Sequence, residues 1–372
     1  MLKKISVYSL IFMVIVSITL IFGHRYIMPI LIPLKDLPKP TGEYSVGTQI
    51  FEWTDQSRDE WFTKIQGDKR RMVVQAWYPT EASNAAPQAY LARPDEWLPA
   101  LSKVLGLPQF LFNHLKDINT HSILNAPLHP QVKHTPLVVF SHGLRGMRFQ
   151  NTAQFEALAS RGYIVVSADH TYDASLTLFN DGTSANFRSG YEGALTTEQF
   201  WALRTPQLNT RVADITFIID TITEKTIAND PIWDAVNLDH IGLLGHSYGG
   251  ATSIIVASQD PRIDATIVLD GWLIPVPEKI IDQGVSTPLL YIGQASWPNP
   301  VNYQKLEKLL NNSPQHSSIL MPGTKHFDFS DTPLFSPLMQ ITGLAGTIPA
   351  NELATDLEDK IVSFFNLHLK DP

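Results

Sequence analysis

A serine flanked by glycines is the residue in this 372-residue chain whose setting points most directly to chemistry. Ser247 lies in the sequence Gly-His-Ser-Tyr-Gly, between an apolar run that predicts a strand and one that predicts a helix. This G-x-S-x-G pattern needs a strand, a sharp turn and a helix, because the turn exposes the hydroxyl at the N-terminus of the helix. We therefore predict that Ser247 is a nucleophile.

A serine hydroxyl needs a histidine to take its proton and a carboxylate to hold the tautomer of that histidine. The chain order in folds with this motif is serine, acid, histidine, which leaves His316, His326 and His368 as candidate bases. His326 lies just past a predicted strand, 318–321, at the edge where open α/β sheets bind ligands. His316 precedes that strand and His368 falls in a predicted terminal helix, so His326 is the predicted base.

Asp270 is the predicted acid, because it ends an apolar run that predicts a strand and should point into the same crevice. The next predicted strand, 289–292, is followed by Gly-Gln-Ala-Ser-Trp and offers no acid. Asp264 stands at the opposite end of its strand, and Asp328 is too near His326 in sequence to be its partner.

Two backbone N–H groups must stabilise the charge that develops on an ester carbonyl, and losing one typically costs ~3 kcal/mol. One donor in this fold is the residue after the nucleophile, here Tyr248. The other comes from a loop after an earlier strand, and the run 137–141 is followed by His-Gly-Leu. We predict the N–H of Leu144 as this oxyanion donor, with Gly143 as the alternative and His142 as a brace of the loop.

Short apolar runs alternate with helical segments from residue 136 onward. Strands buried on both faces have this pattern, so βαβ units are predicted. Residues 46–53 and 71–78 predict antiparallel strands before them. The expected architecture is an α/β-hydrolase fold: a mostly parallel central sheet flanked by helices, with antiparallel N-terminal strands and a single N-terminal transmembrane helix.

The transmembrane helix is predicted because residues 5–23 carry no charge and would span ~28 Å as a helix, close to the ~30 Å of a bilayer core. A cleaved signal, which would give a secreted protein, has a shorter apolar core and a small-residue cleavage site. Lys3 and Lys4 favour a cytoplasmic N-terminus. We therefore expect a single-pass membrane protein whose catalytic part is periplasmic or extracellular.

These observations divide the chain into three segments. Residues 1–25 are a predicted anchor or signal, residues 26–43 a proline-rich stalk, and residues 44–372 one catalytic domain with a helical insertion at about 93–118. The insertion is either a packed helix pair or a mobile apolar flap over the substrate or against lipid.

Composition excludes some functions. The chain has no cysteine, which excludes disulfides, thiolate metal ligands and a cysteine nucleophile. A net charge of −8 without a basic block argues against a nucleic-acid partner.

Several of these stretches together resemble the platelet-activating-factor acetylhydrolase family, which is lipoprotein-associated phospholipase A2-like. They are PLVVFSHGL at 136–144, GHSYGGAT at 245–252, LDGW at 269–272, TGEYSVGT at 41–48 and VQAWYP at 74–79. The resemblance covers roughly residues 41–367. Its most specific part is the step of 23 residues from Ser247 to Asp270, which puts the acid one strand earlier than in many α/β hydrolases.

The resemblance implies a serine esterase that hydrolyses short or oxidised sn-2 acyl chains of phospholipids without calcium, metal or cofactor. Three positions depart from the family: Arg145 and Tyr248 replace Gly and Phe, and Gly271 replaces a small alkyl residue. Arg145 could change the preference for substrate charge. Two alternatives stay open, a general short-chain carboxylesterase (dienelactone-like or a polyester hydrolase) and an inactive binding protein on a hydrolase scaffold. The expected partners are an ester or phospholipid substrate and, through the N-terminal helix, a membrane.

Overall fold

The computed structural model describes residues 37–370 except 84, 107, 112, 189–194 and 229, together with residues 11, 12 and 14. The strands are β1 (Ser45–Asp59), β2 (Lys69–Thr80), β3 (Ser122–Leu124), β4 (Thr135–Ser141), β5 (Ile164–Asp169), β6 (Leu176–Leu178), β7 (Ser184–Asn186), β8 (Val236–His246), β9 (Ile263–Leu269), β10 (Leu289–Gln294) and β11 (His316–Met321). The helices are α1 (Pro94–Leu105), α2 (Thr152–Ala159), α3 (Thr197–Ile227), α4 (Tyr248–Gln259), α5 (Glu278–Gln283), α6 (Pro300–Asn311), α7 (Thr332–Phe335), α8 (Leu338–Ile341) and α9 (Ala350–Leu369).

One nine-stranded sheet forms the centre, in the order β11-β10-β9-β8-β4-β5-β2-β1-β3. β2 pairs antiparallel with both of its neighbours, β1 and β5, and the other strand pairs are parallel. The sheet is therefore mixed, and β1 and β2 supply the antiparallel start that the sequence predicts. β6 and β7 form a separate hairpin.

The two faces of the sheet are covered by two apolar cores. In β4, Leu137 and Val139 pack into one core and Val138 and Phe140 into the other, because successive side chains of a strand point to opposite faces. Helices α3 to α6 pack on the first face, and α1, α2 and α9 pack on the second. This double cover explains why the central strands are apolar throughout and do not alternate.

The predicted N-terminal transmembrane helix has to be corrected. Across residues 37–370, outside the gaps given above, no helix is long and apolar enough to cross a bilayer. A span needs roughly 20 predominantly apolar residues in one helix, and the long helix α3 carries charged side chains along its length. The segment 1–25 lies outside the described residues except for 11, 12 and 14. The membrane location and membrane partner predicted from that helix are withdrawn with it.

The segment 93–118 contains α1 and two short 3-10 turns, Gln109–Leu111 and Asn113–Asp117. Trp97, Leu98 and Leu101 of α1 are buried in the second core. This packing agrees with the packed-helix interpretation for α1. Whether the segment moves, and where the domain boundaries fall, stay predictions.

Glu156 of α2 is a buried acid whose ionisation should weaken the fold. Its side chain is fully buried, one oxygen accepts hydrogen bonds from the Ser122 hydroxyl (2.5 Å) and the His121 N–H (2.7 Å), and the other oxygen has no partner among the described residues. Burial raises the pKa of Glu156 to about 7. The folded state therefore holds a proton that the unfolded chain releases near pH 4.5, so stability falls as pH rises between these values.

We expect Glu156→Gln to match the wild type at pH 4.5 and to exceed it at pH 8, by at most about 3 kcal/mol in the free energy of unfolding. Urea denaturation at both pH values measures this difference. The exposed Glu307 of α6 supplies the matched control, since Glu307→Gln should leave both curves unchanged. A Glu156→Gln variant that is less stable than the wild type at pH 8 would contradict the argument.

Candidate active site

Ser247 lies at the sharp turn between β8 and α4, with φ +57° and ψ −117°. A side chain at Gly245 would place its Cβ 2.3 Å from the carbonyl oxygen of Gly249, and one at Gly249 would lie 1.8 Å from the carbonyl oxygen of Ser141. Both glycines are thus required by the close approach of strand and helix. The strained turn holds the serine at the carboxyl end of the sheet.

The structure brings Ser247, His326 and Asp270 together. The Nε2 atom of His326 lies 2.8 Å from the Ser247 Oγ, and its Nδ1 lies 2.6 Å from an Asp270 carboxylate oxygen. A carboxylate can only accept, so Nδ1 carries the proton and Nε2 is left to accept from the hydroxyl. Asp270 is fully buried, whereas the His326 side chain is 31% exposed and open to the crevice. This is the geometry that general base activation of a serine requires.

The Asp270 carboxylate is held by three donors besides His326. The Gln294 backbone N–H (2.9 Å), the Gln294 Nε2 (2.8 Å) and the Trp297 indole N–H (2.9 Å) all donate to the Asp270 carboxylate. Sequence reasoning missed Gln294 and Trp297, because it searched the end of β10 for an acid and not for donors to an acid. The signal that could have found them is two side chains with N–H donors at the carboxyl end of β10, the strand that pairs with β9, after which Asp270 lies.

His326 follows β11 in a 3-10 turn, His326–Phe329. Asp328 stabilises this turn, since its carboxylate accepts from the N–H groups of Lys325 and Gly346, each at 2.7 Å. The ring of His326 meets the edge of Trp297, with the ring centroids 5.2 Å apart. Asp328 therefore supports the loop that carries His326, and it makes no hydrogen bond to the ring nitrogens of His326.

His246, next to Ser247 in the chain, fixes the backbone of His326. Its Nε2 donates to the carbonyl oxygen of His326 (3.1 Å), and its Nδ1 accepts from the Gln150 amide (3.0 Å). Burial and the neighbouring His326 lower the pKa of His246 to about 3. The ring therefore stays neutral at physiological pH and keeps one donor and one acceptor.

The two predicted oxyanion donors lie next to Ser247. Tyr248 is the first residue of α4, where a helix leaves its N–H without an intrahelical partner. Gly143 lies so close that a Cβ there would be 3.2 Å from the Cβ of Ser247, and Leu144 follows it in the same loop. The amide N–H of Leu144 has no hydrogen-bond partner among the described residues.

His142 has the bracing contacts that the sequence suggests. Its Nδ1–H donates to the carbonyl oxygen of Gly143 (2.6 Å), and its Nε2 accepts from the backbone N–H of His170 (3.0 Å). Burial, followed by the charge of Arg211, holds the pKa of His142 well below its usual value. The imidazole is thus a neutral bridge between the oxyanion loop and the end of β5.

A second row of serine, histidine and aspartate lies beneath this loop. Ser141 Oγ is 2.9 Å from Nε2 of His170, whose Nδ1 is 2.9 Å from an Asp214 carboxylate oxygen. All three side chains are at most 1% exposed. Asp214 also accepts from the guanidinium groups of Arg70 and Arg58. Since no substrate can reach Ser141, we assign this row to the support of β4.

Fold and site together define an ester hydrolase with the α/β-hydrolase architecture. The chain belongs to the platelet-activating factor acetylhydrolase, isoform II, family, whose model matches residues 31–370. The family resemblance that the sequence motifs indicate is thereby confirmed.

Relatives of known name agree with this assignment. The platelet-activating factor acetylhydrolase of Canis lupus familiaris is 27% identical over 360 residues, which cover 90% of this chain and 77% of the relative. A probable 1-alkyl-2-acetylglycerophosphocholine esterase of Arthroderma benhamiae is 25% identical and is matched over 88% of its length. A solved structure of a ferulic acid esterase from Streptomyces cinnamoneus has a TM-score of 0.72 and 27% identity, with 90% of this chain and 93% of that chain covered.

Proposed function

We propose that this enzyme hydrolyses the short sn-2 acyl ester of phospholipids resembling platelet-activating factor, without calcium. The observation that carries the proposal is the hydrogen-bonded row from Ser247 through His326 to Asp270, at 2.8 and 2.6 Å, in a chain of this family. The names of the canine and fungal relatives supply the substrate class.

The first half of the reaction forms an acyl-enzyme. Ser247 Oγ attacks the ester carbonyl carbon while its proton passes to Nε2 of His326, and the buried carboxylate of Asp270 stabilises the resulting imidazolium. The carbonyl oxygen becomes an oxyanion that accepts from the N–H groups of Leu144 and Tyr248. His326 then returns the proton to the leaving alcohol oxygen as the ester C–O bond breaks.

The second half repeats these steps with water. His326 takes a proton from a water molecule whose oxygen attacks the acyl carbon, and the same two amides stabilise the second oxyanion. The bond between Ser247 Oγ and the acyl carbon then breaks, His326 returns its proton to the serine, and the carboxylic acid leaves. Protein groups alone carry every proton in this scheme.

We propose that Arg145 recognises the headgroup of the substrate. It is exposed, directly follows Leu144, and its guanidinium lies 4.5 Å from the ring centroid of Phe187. Stacking on an aromatic ring orients a guanidinium and leaves its edge donors open. A phosphate next to the scissile ester would meet this positive charge, whereas a small neutral ester would not use it.

The test is release of acetate from an sn-2-acetyl phospholipid beside hydrolysis of p-nitrophenyl acetate, with EDTA added. We expect turnover of both, no loss with EDTA, and little activity on an sn-2-palmitoyl phospholipid. Arg145→Gly should raise KM for the phospholipid several-fold and leave KM for p-nitrophenyl acetate unchanged. Turnover of the small ester alone would instead support a general short-chain carboxylesterase.

A second substrate class is favoured by the likeness to the ferulic acid esterase. Methyl ferulate distinguishes the two, because it presents an aromatic acyl group and no phosphate. A kcat/KM for methyl ferulate above that for the sn-2-acetyl phospholipid would move the function to aromatic esters.

A further inference from the structure

Asp173 is a buried carboxylate that the proposed mechanism does not use. It lies in the loop after β5, is 1% exposed, and accepts from two side chains of α3: Arg211 Nε at 2.6 Å and Gln207 Nε2 at 2.5 Å. Both donors are fully buried. A buried carboxylate and guanidinium are costly to desolvate, so this group is an unusual feature to find under an active site.

Arg211, the arginine branch of this group, contacts the oxyanion loop, residues 142–144. Arg211 Nη1 donates to the carbonyl oxygen of His142 at 2.7 Å, and its Nη2 approaches the carbonyl oxygen of Gly143 at 3.4 Å. The Gly143 carbonyl also accepts from the Gly146 N–H and from the His142 ring. The C=O and the N–H of a trans peptide point in opposite directions. Three donors on the Gly143 oxygen therefore turn the N–H of Leu144 away from them.

Gln207, the glutamine branch of this group, contacts the side chain of Tyr248, whose N–H is the other proposed oxyanion donor. Gln207 Oε1 accepts from the Tyr248 hydroxyl at 2.9 Å, while its Nε2 is held by Asp173. The guanidinium of Arg211 also lies over the Tyr248 ring, 4.8 Å from its centroid. The side chain of Tyr248 is fully buried. Gln207 at the hydroxyl and Arg211 over the ring thus fix the Tyr248 side chain. These contacts also fix the start of α4, which presents the Tyr248 N–H.

We propose that Asp173, Arg211 and Gln207 are positioning residues that hold both oxyanion amides in the geometry of the transition state. The inference rests on the proposed roles of the Leu144 and Tyr248 amides. Preorganised donors need no reorientation when charge develops on the substrate, which is why fixing them accelerates the reaction. Asp173 accepts hydrogen bonds from both Arg211 and Gln207, so one carboxylate couples the oxyanion loop to the start of α4.

The primary test is Arg211→Lys, which keeps the positive charge and removes the paired contacts to the two loop carbonyls. Three quantities are measured: kcat and KM for p-nitrophenyl acetate, the Ki of a trifluoromethyl ketone that forms a tetrahedral adduct with the serine, and the active fraction by titration with a fluorophosphonate. We expect kcat per active site to fall about 10- to 100-fold, Ki to rise by the same factor, and KM to change less than twofold.

The control is Arg70→Lys, the same substitution at an equally buried arginine that donates to Asp214, Glu60 and the Thr171 carbonyl and to no atom of residues 142–144. It should lower stability and leave kcat per active site within about twofold. An equal loss of kcat in both variants, or a lower active fraction with unchanged kcat and Ki, would overturn the positioning role.

Tyr248→Phe keeps the test decisive if Arg211→Lys does not fold. It removes only the hydroxyl, which donates to Gln207 at 2.9 Å and has a longer contact of 3.4 Å to the Arg204 carbonyl oxygen. We therefore expect a fall of kcat of about threefold with a matching rise of Ki. An unchanged kcat and Ki would overturn the glutamine branch. Because these measurements use p-nitrophenyl acetate, they test the positioning role even if the enzyme does not hydrolyse phospholipids. Fluorophosphonate labelling that survives Ser247→Ala would instead refute the proposed mechanism itself.

Discussion

Replacing Ser247 by alanine should lower kcat on every ester substrate on the order of 10⁴- to 10⁶-fold. In the proposed mechanism the Ser247 Oγ is the atom that forms the acyl-enzyme, and the substitution removes it. It also leaves Nε2 of His326 without the hydroxyl that donates to it. The cost to folding should be small, because Ser247 is only one hydroxyl larger than alanine and its Oγ faces the crevice. Initial rates on p-nitrophenyl acetate, with the protein concentration set by absorbance, measure the loss.

Ser141→Ala is the matched control for this experiment. It deletes the corresponding hydroxyl of the buried second row, 2.9 Å from its own histidine. We expect kcat within a few-fold of the wild type and undiminished labelling by a fluorophosphonate. Wild-type turnover by Ser247→Ala would show that the nucleophile lies elsewhere.

Replacing Asp270 by asparagine should lower kcat on the order of 10⁴-fold. An asparagine amide can donate to Nδ1 of His326, which moves the ring proton to Nε2 and removes the acceptor for the serine proton. The side-chain oxygen can still accept from the Gln294 backbone N–H and the Trp297 indole N–H, so the loop after β10 should keep its place. The expected result is a folded protein with an intact pocket and the wrong histidine tautomer.

The test is a comparison of Asp270→Asn with Asp328→Asn, two neutralisations of acids near the same histidine. The thermal unfolding midpoint and KM of Asp270→Asn should stay near the wild type while kcat collapses. Asp328→Asn should cost stability, because this carboxylate accepts from Lys325 and Gly346, and should change kcat only a few-fold. An equal loss of kcat in both variants would refute the assignment of Asp270 as the acid.

The parts of this molecule that the sequence predicts are those whose determinants are local. The turn at Ser247 follows from glycines two residues away, and the placement of Asp270 and His326 follows from the apolar runs that precede them. Parallel strands bring their carboxyl ends to one edge, so three distant residues could be placed together without knowing any contact.

What the sequence does not predict depends on contacts between distant segments. Trp297 and Asp270 are 27 residues apart, and Arg211 and His142 are 69 apart. Neither pair has a spacing or pattern that marks it, because a buried polar contact is set by how loops pack on the sheet. β1 also extends beyond the predicted strand 46–53, since its last residues, up to Asp59, are polar and are held by pairing with Lys69.

The row from Ser141 through His170 to Asp214 repeats the hydrogen-bonded order of serine, histidine and aspartate, so this arrangement occurs twice among the residues that the structure describes. Its hydrogen bonds match those of the accessible row to within 0.3 Å. The rows differ in the backbone of the serine, regular in β4 but at φ +57° for Ser247, and in access for a substrate. Searches that rank sites by side-chain superposition alone would return both. Under the proposed mechanism, the turn at Ser247 and the crevice above it distinguish the reactive serine, and the three side chains alone do not.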